Sequence, residues 1–154
     1  MKTFVHVCAR TIAMILIAGF LTATLTSELL LDATAILAVK KAILVGLCLL
    51  IPALAITGAN GFSLARGRHS PAIDKKRWRM KIIAANGLLV LLPLAILLYR
   101  RADEGLLDGV FYAIQTLELL AGLTQLTLLA LNFRDGRKLT RGKRLAAAKT
   151  SNAI

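Results

Sequence analysis

The chain has 154 residues, of which 57% are hydrophobic and 18% charged, and its formal net charge is +12 at pH 7. A mean hydropathy of +0.71 leaves little sequence for a separate water-soluble module. In a soluble protein this charge would suggest nucleic acid. Here Lys and Arg flank long apolar stretches, so we expect contact with a bilayer containing anionic lipids and no nucleic-acid partner.

Four stretches almost free of charge predict membrane-spanning helices. A helix of ~20 apolar residues crosses a hydrocarbon core of ~30 Å, and lipid tolerates no unpaired backbone groups. The predicted spans are residues 4–26, 42–65, 82–99 and 106–133. The expected fold is an all-α integral membrane four-helix bundle, up-down-up-down with left-handed packing. It forms a single transmembrane domain over residues 1–133, followed by a basic, flexible cytoplasmic tail over residues 134–154.

The distribution of basic residues predicts the orientation. Residues 66–81 and residues 134–149 each hold seven Lys or Arg side chains. The other two connections carry only Lys40 with Lys41 and Arg100 with Arg101, together with most of the acidic residues. Basic residues concentrate on the cytoplasmic side of membrane proteins. We therefore expect a multi-pass protein of a bacterial-type inner membrane, with both termini cytoplasmic.

The second and third spans carry mirrored Ala-Asn-Gly strings on either side of the basic loop, centred on Asn60 and Asn86. Both asparagines are expected at equal depth in an antiparallel hairpin. Glycine permits close helix approach and an amide can bond across the contact, so a packing contact is the favoured interpretation. The alternative is that both amides line a solute path, with backbone groups freed by Pro52 and Pro93.

The basic loop between these spans predicts contact with lipid headgroups, because Trp and basic side chains are common at that level of the membrane. The candidate contact residues are Arg68, Lys75, Lys76, Arg77, Trp78 and Arg79.

The fourth span carries polar side chains at heptad spacing. Gln115 belongs to one row, and Glu118, Gln125 and Asn132 belong to the other. Such a polar seam, which we define by these four residues, must face the bundle interior, a partner subunit or a water-filled cavity. Together with Asn60 and Asn86, these residues are the candidate binding site for a substrate, an ion or a proton.

Glu118 is the sharpest candidate in the seam because it lies near the middle of its span. A charge there costs ~2.5–3.5 kcal/mol on insertion scales, and ionisable groups at this depth are functional candidates. We expect no countercharge at its depth, since Lys40 and Lys41 are placed near the outer face. Desolvation then favours the neutral acid. A transferable proton, a bound cation, or a donor from another protein are the functional alternatives to a purely structural hydrogen bond.

His6 near the start of the first span, Lys41 opening the second and Asn60 closing it, with the run from Arg77 to Asn86, resemble elements of the CopD-type copper-resistance membrane proteins. These elements cover less than half of the chain, which lacks the additional His or Met expected for copper handling. The resemblance implies a copper- or haem-handling membrane protein as the weaker functional alternative.

The leading functional expectation is a transporter- or channel-like protein, or a subunit of one, centred on Glu118. The main alternative is a non-catalytic accessory or assembly subunit of a larger membrane complex. Enzymatic motifs such as HExxH, a Walker loop or GxGxxG are absent from the sequence. We therefore expect no catalytic residues, no metal ligands and no cofactor. Under the leading expectation the chain associates as a homo-oligomer or within a larger membrane complex, since four short-looped helices leave an aqueous cleft only if they splay or associate.

Overall fold

The computed structural model describes the backbone of residues 2–64 and 71–151, and the side chains of residues 7–9, 11–56, 74, 75 and 77–135. This part of the chain is helical almost throughout. Its helices are α1 (Lys2–Leu30), α2 (Ala33–Leu64), α3 (Pro71–Ala85), α4 (Leu92–Asp103) and α5 (Gly109–Ser151), and a π-helical segment (Asn86–Leu91) joins α3 to α4.

Four helical stretches among the described residues are long and apolar enough to cross a membrane. They are Val7–Leu30, Ala33–Ile56, Arg77–Asp103 and Gly109–Asp135. The all-α class and the four helices of spanning length are therefore confirmed. The second helix begins at Ala33, whereas the predicted span began at residue 42. The difference arises because Lys40 and Lys41 were assigned to a connection, while the helical backbone runs through both.

The helices contact one another in a ring. α1 packs along α2, α2 against α4, α4 against α5, and α5 against α1. α2 and α5 approach each other less closely than these neighbouring pairs, so they lie on a diagonal of the ring. Contacts between α2 and α5 are therefore made through long side chains rather than through close backbones.

The interior contains polar side chains and the exterior is rich in large apolar ones. Ile15, Val45 and Leu89 are each at least 66% exposed. The buried polar and charged residues are Thr24, Ser27, Lys40, Gln115, Glu118, Gln125 and Asn132. This distribution suits a lipid-facing surface, because lipid solvates apolar side chains and leaves polar ones to find partners inside.

The π-helical segment is explained by Pro93, which stands in the first turn of α4. Proline has no N–H and its ring crowds the carbonyl four residues earlier, so an uninterrupted α-helix is unfavourable there. The helix widens by one residue before the proline, as the bond from the Leu92 N–H to the Gly87 carbonyl shows. Asn86 stands at the beginning of this widened turn.

Two aspartates cap the helices at the end of the ring that carries the short connections. Asp32 accepts the backbone N–H of Ala35 at 3.0 Å, and Asp108 accepts that of Phe111 at 3.0 Å. Both positions precede a helix, where a carboxylate satisfies an unpaired N–H and complements the helix dipole. Asp108 also pairs with Arg101 at 2.9 Å.

The Asp108 cap predicts a pH dependence of stability. The Phe111 N–H, and after it Arg101, hold the pKa of Asp108 below its ordinary value of 3.8. A carboxyl whose pKa is lower in the folded state stabilises the fold above that ordinary value, and the contribution is lost as the pH falls through the folded-state pKa. The Tm should therefore fall below about pH 4, and less steeply in Asp108→Asn. The measurement is the Tm of the parent and of Asp108→Asn between about pH 3 and pH 6. Asp103→Asn is the control, because Asp103 is also exposed at this end of the ring. An equal fall of Tm with pH in the parent and in Asp108→Asn would contradict the stabilising role of the Asp108 cap.

Candidate functional site

Lys40 lies inside the ring rather than in a connection. It is seven residues into α2, about 10 Å from the helix start at ~1.5 Å per residue, and only 1% exposed. Its Nζ donates to Glu118 Oε2 at 2.9 Å and also donates to Gln115 Oε1. The Phe111 ring centroid lies 6.0 Å from Nζ, so the third side of the ammonium faces an aromatic ring.

Glu118 and Gln115, which accept the hydrogen bonds from Lys40, lie on neighbouring turns of α5. Gln115 Nε2 donates to the same Glu118 oxygen at 3.2 Å, which ties the three side chains into one network. The side chains of Lys40 and Glu118 are 0% and 11% exposed, respectively. The expectation that Glu118 has no countercharge at its depth is therefore wrong. The sequence placed Lys40 outside the membrane core, but the helix carries it inward and its four-carbon stem reaches across the diagonal.

A second carboxylate belongs to this site. Glu28 is on α1 and interacts electrostatically with both Lys40 and Glu118. Both of its carboxylate oxygens are buried, and neither has a hydrogen-bond partner among the described residues. We define the charged cluster as Glu28, Lys40, Gln115 and Glu118. It unites side chains from three helices, and it contains two acids for one base.

A small cavity of ≈ 50 Å³ adjoins the charged cluster. Glu118 and Thr24 are its polar lining residues, and Thr24 lies one turn before Glu28 on the same face of α1. The rest of the lining is apolar or glycine: Ile17, Phe20, Leu21, Ile43, Leu47, Leu50, Leu91, Leu119 and Gly122. The volume accommodates only a few water molecules.

Gln125, another residue of the polar seam, lies farther along α5 and makes separate contacts. Gln125 accepts from Asn86 Nδ2 at 2.9 Å and donates to the Ile83 carbonyl at 3.0 Å. Asn86 also donates to the Ala121 carbonyl at 3.0 Å. These bonds fasten the beginning of the π-helical segment to α5. A Cβ on Gly87 would lie 3.3 Å from the Gln125 amide nitrogen, so the glycine allows this close approach.

Gln125→Leu should lower the stability of the protein by about 1–2 kcal/mol. The substitution removes two interhelical bonds, and intramembrane hydrogen bonds contribute up to that amount. Unfolding of the detergent-solubilised protein, followed by circular dichroism, measures the loss. Thr124→Val is the matched control, because the Thr124 hydroxyl is exposed and bonds only within its own helix, to the Leu120 carbonyl. Equal stability of Gln125→Leu and Thr124→Val would contradict a stabilising role for the amide contacts.

The structure divides the predicted site residues into several groups. Gln115 and Glu118 meet in the charged cluster, whereas Gln125 meets Asn86. Asn132 is buried between α5 and α3, where its Nδ2 lies 3.2 Å from Met80 Sδ. Asn60 lies outside the residues whose side chains are described, and Asn86 turns towards α5.

The predicted lipid-contact residues are described only in part. Lys75 and Trp78 are exposed, and Trp78 is 64% exposed. Arg79 is instead paired with Asp135 at 2.6 Å, and Arg77 is half-buried. The side chains of Arg68 and Lys76 lie outside the described residues, as does that of His6.

Sequence reasoning missed Lys40 and Glu28. A signal for Lys40 was present, because it shares a helical face with Ile36, Ile43 and Leu47, all of which are buried. Charge alone had assigned it to a connection. Glu28 carries a weaker signal, since it follows the buried Thr24 by one turn.

Comparison of the chain with protein-family models, with curated proteins and with solved structures gave no match. Among the described residues, no group of three or more His, Cys, Asp or Glu side chains is placed to hold a metal ion.

Proposed function

We propose that this chain is a small multi-pass protein of a bacterial-type inner membrane that acts as a transporter- or channel-like protein, or as a subunit of one. Its switch is the ion pair between Lys40 and Glu118. The observation that carries the proposal is the position of this pair, which is buried between the diagonal helices α2 and α5 and adjoins a small cavity.

An ion pair at this place can control an opening between the helices. Charged groups in a low-dielectric interior are stable only while paired, and removing one partner leaves an expensive unpaired charge. A proton or a cation that neutralises Glu118 would release Lys40 and remove the link across the diagonal. Separation of α2 from α5 would then enlarge the cavity from its present ≈ 50 Å³. The paired arrangement accordingly corresponds to the closed state of two conformations.

In the proposed orientation both termini and the basic loop face the cytoplasm, following the excess of Lys and Arg on that side. The exposed side chains of Lys75 and Trp78 suit contact with anionic headgroups, and Arg68, Lys76, Arg77 and Arg79 belong to the same basic segment. A homo-oligomer or a larger complex would provide further walls for an aqueous path.

The packing favours this proposal over an accessory subunit that docks through its polar seam. Gln115, Glu118 and Gln125 already bond to groups of the same chain, and all three are at most 8% exposed. A partner could use them only by displacing these internal bonds. No observation among the described residues favours copper or haem handling.

Glu118→Gln should lose ion flux, measured on protein that circular dichroism and gel filtration show to be folded, because loss of the buried ion pair also lowers stability. The amide keeps the shape and hydrogen-bonding capacity of the acid but cannot titrate or neutralise Lys40. The measurement uses purified protein in liposomes loaded with a pH-sensitive dye for protons or a sodium-sensitive dye for alkali cations. A potassium gradient with valinomycin drives proton or alkali-cation entry, and we expect at least about a tenfold reduction in rate, the effect of ~1.4 kcal/mol.

Glu104→Gln provides the matched control, because Glu104 is exposed in the turn after α4 and should retain the parental flux. Equal flux in parent and Glu118→Gln liposomes, or flux in the parent no greater than in protein-free liposomes, would refute the proposed function.

A further inference from the structure

We propose that the cavity beside the charged cluster is a water-binding site, in which the Thr24 hydroxyl and Glu118 Oε1 hold a short chain of water molecules that delivers protons to Glu118. Thr24 is the positioning residue of this water. The delivery rests on the proposed function, and it names the proton, rather than an alkali cation, as the species that the switch binds. The water site itself rests only on the geometry of the cavity.

The Thr24 hydroxyl is bonded differently from those of exposed threonines in the spanning helices. Five of these donate to the carbonyl four residues earlier in their own helix: Thr11, Thr22, Thr116, Thr124 and Thr127. Thr24 forms no such bond, and its hydroxyl has no partner among the described residues. Yet Thr24 is only 2% exposed and lines the cavity. A buried hydroxyl without a partner is costly, so this one requires a partner inside the cavity.

Glu118 presents a free oxygen to the same cavity. Its carboxylate accepts hydrogen bonds from Lys40 and Gln115, and both of them end on Oε2. Oε1 accepts none from the described residues. Unlike the two Glu28 oxygens, neither Glu118 Oε1 nor the Thr24 hydroxyl is sealed off by protein atoms, so water in the cavity can reach both.

The size of the cavity matches a short chain of water molecules. One water needs about 10–15 Å³ of cavity volume and at least two polar partners, and the cavity offers ≈ 50 Å³. Hydrogen-bonded oxygens lie about 2.8 Å apart, so a few waters extend across a space of this size. The Thr24 hydroxyl can donate to the first water or accept from it, and Oε1 accepts from the last. The chain joins α1 to α5 beside the ion pair that joins α2 to α5.

The same surroundings select protons over alkali cations. A cation that leaves water must regain a full set of oxygen ligands, as the carbonyl rings of potassium channels provide. Here the two polar lining residues are Thr24 and Glu118, and the rest of the lining is apolar or glycine. A proton needs a single oxygen, and hydrogen-bonded water supplies its path.

The delivery of a proton to Glu118 is balanced. A hydronium ion in the chain breaks one of its O–H bonds, the proton forms an O–H bond with Oε1, and a neutral water remains. The pair of Lys40 and Glu118 thereby changes from zero net charge to one positive charge. A hydrogen bond from Lys40 to a neutral acid is weaker than one to a carboxylate. The ammonium can then leave Glu118, which is the opening step of the proposed switch.

Solid-state NMR of the protein in liposomes tests the water site. The chain contains three glutamates, so ¹³C labelling of glutamate gives three side-chain carboxyl signals, and replacement of each by glutamine in turn assigns them. Transfer of magnetisation from water protons to the Glu118 carboxyl carbon reports water in contact with it. This transfer should be rapid in the parent and largely lost in Thr24→Val, which keeps the shape of the side chain without the hydroxyl. Thr24→Ser should restore it.

Thr22→Val is the matched control, because Thr22 is exposed and its hydroxyl bonds only to the Ala18 carbonyl of its own helix. It should show the parental transfer. Circular dichroism and gel filtration establish that each variant is folded. Slow transfer in the parent would overturn the water site. Parental transfer in folded Thr24→Val, or an equal loss in Thr22→Val, would overturn it as well.

The liposome assay with the two dyes tests the delivery of protons. The parent should admit protons and exclude sodium, and Thr24→Val should lower the proton flux about tenfold, the effect of one lost hydrogen bond. Thr24→Ser should restore most of this flux, and Thr22→Val should retain it. Parental proton flux in Thr24→Val would overturn delivery through this water.

The two ions separate a failure of this inference from a failure of the proposed function. Sodium flux without proton flux in the parent would leave the proposed function in place and overturn the delivery of protons. Flux of neither ion in the parent would refute the proposed function and the delivery together. The water site is decided by the NMR measurement alone.

Discussion

Lys40→Met should destabilise the protein by about 3–5 kcal/mol, the cost typical of removing one member of a buried ion pair. The methionine fills a similar volume, but Glu118 loses the cation that pairs with it. Reversible unfolding of the detergent-solubilised protein, followed by circular dichroism, measures the loss.

The double variant Lys40→Met with Glu118→Leu tests whether the loss of stability comes from the ion pair. Replacement of a whole buried pair by apolar side chains is often neutral or even stabilising. We therefore expect the double variant to recover most of the stability lost in Lys40→Met. Lys41→Met is the matched control, because Lys41 is the neighbouring residue and is exposed. A double variant as unstable as Lys40→Met, or a Lys41→Met variant equally destabilised, would show that the pair is not the source of the effect.

Gly46→Leu should destabilise the contact between α1 and α2 by up to about 3 kcal/mol, the upper range for overpacking a filled interior. A Cβ at this position would lie 2.8 Å from Phe20 Cε1 and would also collide with Phe20 Cζ. A leucine would displace the whole ring from the core against which it packs. The same unfolding measurement as for Lys40→Met reports the loss.

Two variants separate this clash from a general effect of leucine. Gly19→Leu should leave stability nearly unchanged, because nothing lies within 4 Å of a Cβ at that position. Phe20→Ala combined with Gly46→Leu should recover part of the stability, since the smaller side chain makes room. Equal losses at Gly46 and Gly19 would argue against a specific contact between α1 and α2 at this point.

Hydrophobic length and periodicity were sufficient to predict the helical class and the interior face of α5. Four long apolar stretches are compatible with few folds other than a set of long helices. Heptad spacing correctly predicted that the polar side chains of α5 are buried, namely Gln115, Glu118, Gln125 and Asn132. Their burial follows from a local property, the angle between successive residues of one helix. Any role in transport stays a prediction.

The partners of these residues were harder to predict, because a contact depends on the relative rotation and height of two helices. Lys40 shows the difficulty clearly. A lysine near the end of an apolar stretch normally extends towards the headgroups, and only the position of α5 across the diagonal makes the inward direction favourable. Asn86 similarly finds Gln125 because the π-helical turn precedes Pro93. A proline alone does not predict this widening, because Pro52 lies within α2 without one.

The link between α2 and α5 can form only late in biosynthesis. Lys40 and Glu118 are separated by 78 positions, so a ribosome releases the lysine long before its acidic partner exists. In a bilayer, the hairpin of α1 and α2 must meanwhile hold a cation with no help from the last helix. The pair with Glu118 can form only after α5 has been made, so the newborn chain acquires its final charge arrangement when synthesis is almost complete.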